Sequence, residues 1–122
     1  MNEPKPQTLL RDLPETFEAG PEWLRSLRGR AALALRDRGL PTHKTEAWRF
    51  TPVRPVVEAE LGRARTEIPK LLSSLPDGVT VRRMKEVLEA EPSLLEGRLD
   101  LAGPSEHFAA LNTALFEDGL WI

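Results

Sequence analysis

The residues with the most potential for chemistry are two histidines and a scatter of carboxylates. His43 and His107 are far apart and belong to no His-x3-His or Glu-x-x-His pair, so a metal site would need distant ligands. Ser105 lies two positions before His107, and on a helix that spacing points the two side chains in different directions. We therefore interpret Ser105 as a helix cap and His107 as a surface residue. Because the chain has no cysteine, thiolate ligands and a cysteine nucleophile are excluded as well.

Charge and glycine content exclude further classes of function. The 17 basic and 19 acidic residues give a net charge of -2, which argues against bulk attraction to nucleic acid or to an anionic membrane. Arg82-Arg83 has no aromatic neighbours, and the glycines form neither a phosphate loop nor a dinucleotide-binding motif. The sequence predicts a protein that is not an enzyme, with no catalytic residue and no specific binding of iron, zinc or nucleotide.

The apolar pattern predicts a small, mainly α-helical domain with one or two short strands. Apolar residues make up 40% of the chain, and no run of them approaches the about 20 residues that span a bilayer, so we expect a cytoplasmic protein. Helices are predicted at 21–38, 51–61, 83–91 and 104–117, and a short strand at 79–81. Residues 42–50 form either a short helix capped by Thr42 or a turn into an extended segment.

The first long helix has clear start and stop signals. It opens at Gly20-Pro21-Glu22, where proline and an acid favour a helix start, and Gly39 followed by Pro41 ends it. Three arginines lie off its apolar arc: Arg25, Arg28 and Arg36. A DNA-reading face is the alternative, but we assign these arginines to a solvated face because acids offset their charge.

One segment concentrates aromatic and charged residues, between Pro41 and Thr51. Trp48 and Phe50 lie two positions apart among charged residues that include Lys44, Glu46 and Arg49. One interpretation is an aromatic binding platform. The residues alone favour the other, in which Trp48 packs against the first long helix while Lys44 and Glu46 form a surface pair.

A second segment, from Phe108 to Gly119, places an amide on an apolar helix face. Asn112 lies about 40° from Phe108 at 100° per residue, which predicts that it is buried. A buried amide must find hydrogen-bond partners, either in a ligand or in a loop backbone. We favour the structural role over the ligand contact.

The last residues combine a turn with an apolar strand seed. Asp118-Gly119 favours a turn, and Leu120-Trp121-Ile122 favours a strand that needs a partner. We take the chain to be the front of a longer protein. The apolar end is expected to be buried in a contact, either within the chain or between two copies, so a dimer through this end is one expected outcome.

Together these segments resemble the N-terminal region of the SufD branch of the SufB/SufD family. The resemblance is carried by Leu40-Pro-Thr-x-Lys-x-Glu-x-Trp-Arg-Phe-Thr51 and Phe108-x-x-Leu-Asn-x-Ala-Leu-Phe-x-Asp-Gly119, with Leu75-Pro-x-Gly-Val-x-Val81 between them. The matching motif residues are interpreted as fold markers: Lys44, Glu46, Trp48, Phe50, Asn112, Asp118 and Gly119.

The resemblance implies a three-part protein of iron–sulfur cluster assembly, whose helical N-terminal region precedes a right-handed parallel β-helix. Its implied partners are the SufB-like subunit and the SufC-like ATPase, reached through the full-length protein. The implied boundaries are a flexible arm at 1–20, a helical domain at 21–117 and the start of a truncated β-helix at 118–122. The family's cluster-related residues lie beyond this segment, so none is carried onto it. The alternative function is a stand-alone helical protein–protein interaction module.

Overall fold

The computed structural model describes residues 8–59, 61, 74–99 and 106–122. Within them helices dominate and one two-stranded antiparallel sheet is present, so the expected fold class is confirmed. The elements are α1 (Thr8–Arg11), α2 (Glu22–Arg38), α3 (Arg54–Val57), β1 (Arg82–Arg83), α4 (Met84–Ala90), α5 (His107–Leu115) and β2 (Leu120–Trp121), with 3₁₀ turns at Glu46–Trp48 and Pro92–Leu94.

Helix α2 confirms the sequence prediction to within one residue. Pro21 precedes it in an extended conformation (φ -66°, ψ 156°), so the helix proper starts at Glu22. At the other end Gly39 takes φ 68°, a region that favours glycine, and its N–H donates to the Leu35 carbonyl at 2.7 Å. Leu40 and Pro41 are buried directly after this stop, so the chain turns back onto the helix it has just left.

The main core lies between α2 and α5. Ala31, Ala32 and Leu35 of α2 are nearly inaccessible and join Ala110 and Ala114 of α5 in one cluster. Because four of these five side chains are methyl groups, little bulk separates the two helix backbones. Partly buried side chains surround this seam: Leu9, Leu10, Phe17, Val57, Phe108, Leu111 and Leu115.

Four apolar side chains before α2 pack on the same core: Leu9, Leu10, Leu13 and Phe17. Leu13 is 8% exposed and lies in the core cluster. The Arg36 guanidinium donates to the carbonyls of Leu13 and Pro14, which ties this segment to α2. The boundary at residue 20 stays a prediction, and these contacts show only that part of the segment before it packs on the helical core.

The predicted helix at 51–61 is wrong in length. Among the described residues of this range, the structure has α3, which is one turn long. Val53 before it is buried, but Val56 is 46% exposed, so little apolar surface is removed from water here. A short helix needs such burial, because the hydrogen bonds of one turn do not offset the cost of nucleation.

The predicted strand at 79–81 is displaced. β1 occupies the next two residues, pairing Arg82 with Trp121 and Arg83 with Leu120 of β2. Val79 is 41% exposed, so the apolar alternation before β1 does not mark a buried face. Strand position is set instead by the partner strand, which arrives from the other end of the chain.

The last two helices lie where the sequence placed them. α4 occupies the expected 83–91 window. α5 is shorter than the predicted 104–117, and the predicted cap Ser105 lies outside the described residues. Phe116 ends α5 by adopting extended angles (φ -60°, ψ 143°). The strand seed then folds back within the chain: Leu120 and Trp121 are half-buried in the sheet, while Ile122 is 77% exposed.

Arg28 is not on a solvated face, in contrast to the sequence interpretation. Its guanidinium donates to the carbonyls of Ala114 and Phe116, both at 2.9 Å, and of Thr113 at 3.3 Å. The same group lies 4.2 Å from the centroid of the Phe116 ring. These carbonyls lie at the end of α5, where no helical partner remains for them and a cation is favoured.

Replacing Arg28 with Met should lower the free energy of unfolding by about 1–3 kcal/mol, because several carbonyls lose a charged donor. Urea denaturation followed by circular dichroism measures this. Arg25→Met is the matched control, since Arg25 is exposed on the same helix, and it should change stability by less than about 0.5 kcal/mol. Equal effects of the two substitutions would contradict the capping role.

Candidate functional site

The two motif segments singled out in the sequence meet in the structure. The Trp48 and Phe108 rings have centroids 5.4 Å apart and planes at 69°, an edge-to-face contact. Beside it, His107 Nδ1 lies 2.7 Å from the Gly39 carbonyl oxygen. Because a carbonyl only accepts hydrogen bonds, Nδ1 carries the proton and donates. The start of α5 is thus joined to the loop that follows α2.

Two sequence interpretations are corrected by these contacts. Trp48 does pack, but the aromatic partner it meets is on α5 rather than on the first long helix. His107 is half-buried and bonded to the end of α2, so it is not a free surface residue. Both corrections have the same cause: α5 returns from a distant part of the sequence to cover the loop.

The loop carrying Trp48 is held by its own threonines. The Thr42 N–H donates to the Thr45 hydroxyl at 3.1 Å, and the Lys44 N–H donates to the Thr42 hydroxyl at 3.2 Å. A single 3₁₀ turn, Glu46–Trp48, follows. Neither alternative for residues 42–50 holds as predicted, because Thr45 rather than Thr42 is the N-cap residue of the single 3₁₀ turn and the residues up to Thr51 form turns without a strand.

The neighbours of Trp48 point outward. Phe50 is 84% exposed, and the Arg49 guanidinium lies 4.6 Å from its ring centroid. Glu46 pairs with Arg49 at 3.0 Å, so the expected surface pair with Lys44 is replaced by a pair one helical turn ahead. Lys44 is exposed. The loop therefore has one anchored aromatic side chain and one presented to solvent.

Asn112 is exposed, so the prediction that it is buried is wrong. The buried face of α5 is centred on Ala110, Thr113 and Ala114 instead. Sequence reasoning weighted the large side chains Phe108 and Leu111, but these lie at the margin of the core. The methyl-lined seam against α2 decides which way the helix faces, and it turns Asn112 to solvent.

Substituting Asn112 with Ala should change the free energy of unfolding by less than about 0.5 kcal/mol, as is usual for exposed sites. Thr113→Ala, one position along, should cost about 1–2 kcal/mol because Thr113 is 5% exposed and the substitution removes buried atoms. Thermal unfolding of the two variants measures the contrast. A larger loss of stability for Asn112→Ala than for Thr113→Ala would support the prediction that Asn112 is buried and structural.

Asp118 accepts four hydrogen bonds through its carboxylate. Its side chain is only 4% exposed. Oδ2 accepts from Arg83 Nε at 2.9 Å and Nη2 at 2.6 Å, while Oδ1 accepts from the backbone N–H of Lys85 and of Gly119, both at 2.9 Å. Lys85 is in the first turn of α4, whose own N-cap residue supplies no side-chain bond. Asp118 thus caps α4 from a distant part of the sequence.

Gly119, the other motif residue here, closes the same junction. Its carbonyl accepts the Met84 N–H at 2.9 Å, extending the β1–β2 pairing to the start of α4. A Cβ at this position would lie 3.3 Å from Met84 Cε. Both Asp118 and Gly119 therefore act as structural residues. The sequence signalled only their turn, because nothing in it indicated that residues 82–85 would be the partner.

The environment of Asp118 lowers the pKa of its carboxyl. Burial works in the opposite direction and would raise the pKa, but the two backbone N–H donors and the Arg83 guanidinium outweigh it. Because the folded state favours the ionised form of this carboxyl more than the unfolded chain does, the group stabilises the fold at neutral pH. That contribution is lost as the pH falls below the usual aspartate value of about 4 toward the lowered value.

The stability difference between the wild-type chain and Asp118→Asn should therefore be constant from about pH 7 to pH 5 and shrink below about pH 4. Urea titrations across this range measure it. Glu89→Gln is the matched control, because Glu89 is an exposed carboxylate on α4. A difference that grows on acidification would contradict the role of the ionised carboxylate.

A cleft of about 560 Å³ lies beside this junction. Its charged lining consists of three cations, Arg28, Arg83 and Lys85, and three acids, Glu18, Glu117 and Asp118. Two of the cations already bind backbone or carboxylate oxygens, and the opposite charges balance, so the cleft selects no ligand class. Arg82 likewise bonds Glu91 at 2.6 Å rather than presenting a basic patch.

Within the described ranges, no group of three or more His, Asp or Glu side chains is placed to hold a metal ion. No helix there is both long and apolar enough to cross a bilayer. The arrangement of the motif residues is that of a packed scaffold with one outward-facing loop. No family model, curated protein or solved structure matches the chain.

Proposed function

We propose that this chain is the helical N-terminal region of a SufD-like subunit of an iron–sulfur cluster assembly scaffold, and that it is not itself an enzyme. The observation that carries the proposal is the junction of the two motifs, with Trp48 packed on Phe108. The two segments are far apart in sequence and together carry the resemblance, and in the structure they pack against each other. Such a contact is expected if the motif residues support the fold.

The motif residues divide between internal support and exposure. Trp48, Asp118 and Gly119 hold elements together, while Lys44 and Phe50 face solvent and Glu46 pairs with the exposed Arg49. In this proposal the iron–sulfur cluster is the cargo of the whole assembly. Its ligands come from other parts of the complex, because this chain offers no thiolate.

The proposed partners are a SufB-like subunit and a SufC-like ATPase, reached through the full-length protein in the cytoplasm. Nucleic acid and membrane are not among them. The alternating charge of the chain and its net value of -2 favour protein partners over polyanions.

The test is co-purification from the source organism. The full-length product of the gene, tagged at its C-terminus, should retain SufB-like and SufC-like subunits in fixed ratio after gel filtration. The matched comparison is the same gene lacking residues 1–122. A reading frame that stops at Ile122, or a full-length product that retains neither subunit, would overturn the proposal.

A stand-alone helical interaction module is the second candidate, favoured by the exposure of Phe50. Its ring is 84% exposed beside an anchored neighbour, so a partner could bury it, and aromatic side chains are enriched in protein interfaces. A cross-linked partner that is lost with Phe50→Ser, but kept with the control Leu33→Ser, would support this candidate. Leu33 is the matched site because it is also exposed, at 59%, on α2.

A dimer of the chain through its C-terminal end is also part of the proposal, since Ile122 is exposed next to β2. Solution mass by light scattering tests it. A dimer should become monomeric when residues 120–122 are removed. A dimer that survives the deletion has its interface elsewhere.

A further inference from the structure

Residues 116–121, here called the C-terminal strap, leave α5 and join it to a different part of the structure. At its start, the Phe116 carbonyl and ring are held by Arg28 of α2. Two residues later, Asp118 bonds Arg83 and the Lys85 N–H, and the strap then pairs with β1 as β2. The strap is thus held at two places by two different elements.

The partner of the strap is a small unit, residues 82–95, made of β1, α4 and the 3₁₀ turn Pro92–Leu94. Its buried residues are Val87, which is fully inaccessible, and Leu95, at 3% exposure, and both lie outside the α2–α5 cluster. α4 has only seven residues and no capping side chain at its N-cap position. A helix of this length is unstable without outside contacts.

We infer that the strap is a latch with two separable pins, in which Asp118 fastens the 82–95 unit and Arg28 fastens α5. Opening the Asp118 pin releases β2, β1 and α4 together, because the same carboxylate caps α4 and anchors β1. The α2–α5 seam survives this opening, because its buried side chains and its Arg28 contacts are separate from the pin. The fold therefore has a built-in partly open state that frees both strands while the helix pair remains intact.

The two pins differ in chemistry, which makes them separable by substitution. Asp118→Asn keeps the shape of the side chain and replaces one acceptor with a donor facing the Arg83 guanidinium. The amide oxygen remains able to accept from a backbone N–H, so the variant weakens the pin without emptying the site. Arg28→Met acts on the other pin alone.

Amide hydrogen exchange of the whole chain, resolved by residue, tests the latch. In Asp118→Asn we expect exchange to accelerate together, by about tenfold or more, at the strap, at β1 and at the protected amides of α4. The amides of Leu35 and Gly39 in and after α2, and of Ala114 in α5, should change by less than about twofold. Glu89→Gln, which removes one exposed charge from α4, should leave all of them unchanged.

Two patterns would overturn the inference. Acceleration confined to Lys85 and Gly119 would mean that the carboxylate protects only its direct donors. Equal acceleration everywhere, including α2, would mean that only global stability depends on Asp118. If Asp118→Asn does not fold, the wild-type chain in low urea gives the same answer: amides of 82–90 and 118–121 should share one opening free energy below that of α2. A single opening free energy for all of them contradicts the latch.

Discussion

The alanine-lined contact between α2 and α5 is the constraint on which the other described elements depend. Methyl groups at Ala31, Ala32, Ala110 and Ala114 let two antiparallel backbones lie close, and this seam fixes how α5 is rotated. Once α5 is placed, Phe108 meets Trp48, His107 meets Gly39, and the residues after Leu115 leave in the direction of β1. These contacts therefore follow from the way the small side chains of α2 and α5 pack together.

Several helix ends in the described residues are bonded by side chains from distant parts of the sequence, in addition to local backbone hydrogen bonds. The N-cap residues of α2, α4 and α5 supply no side-chain hydrogen bond. Arg28 donates to the Ala114 carbonyl at the C-terminal end of α5. His107 donates to the Gly39 carbonyl directly after α2, and Asp118 accepts the Lys85 N–H in the first turn of α4. Each of these side chains also joins two elements, so capping and tertiary attachment are the same interactions. Loss of one such residue therefore affects a helix and its attachment together.

For function, the useful distinction is between motif residues that hold the fold and those that face outward. Trp48, Asp118 and Gly119 are committed to internal contacts, so their presence in a motif reports on architecture. Phe50 is different, because its ring is 84% exposed and has no part in the core of the fold. The proposed interaction module places its contact surface on this loop, whereas the proposed scaffold role reaches its partners through the full-length protein.

The sequence by itself determined the class of the fold, the position of α2 with its proline start and glycine stop, and the windows of α4 and α5, because these follow from local periodicity and backbone preference. It also identified the two segments that meet. Only the tertiary structure decided that Asn112 faces water while Thr113 is buried, that Arg28 is a cap, and that β1 lies at 82–83. These outcomes depend on which distant segment arrives as partner. Hydrophobic periodicity carries no information about that partner, since an alanine seam and a buried carboxylate contribute little to the pattern of large apolar residues.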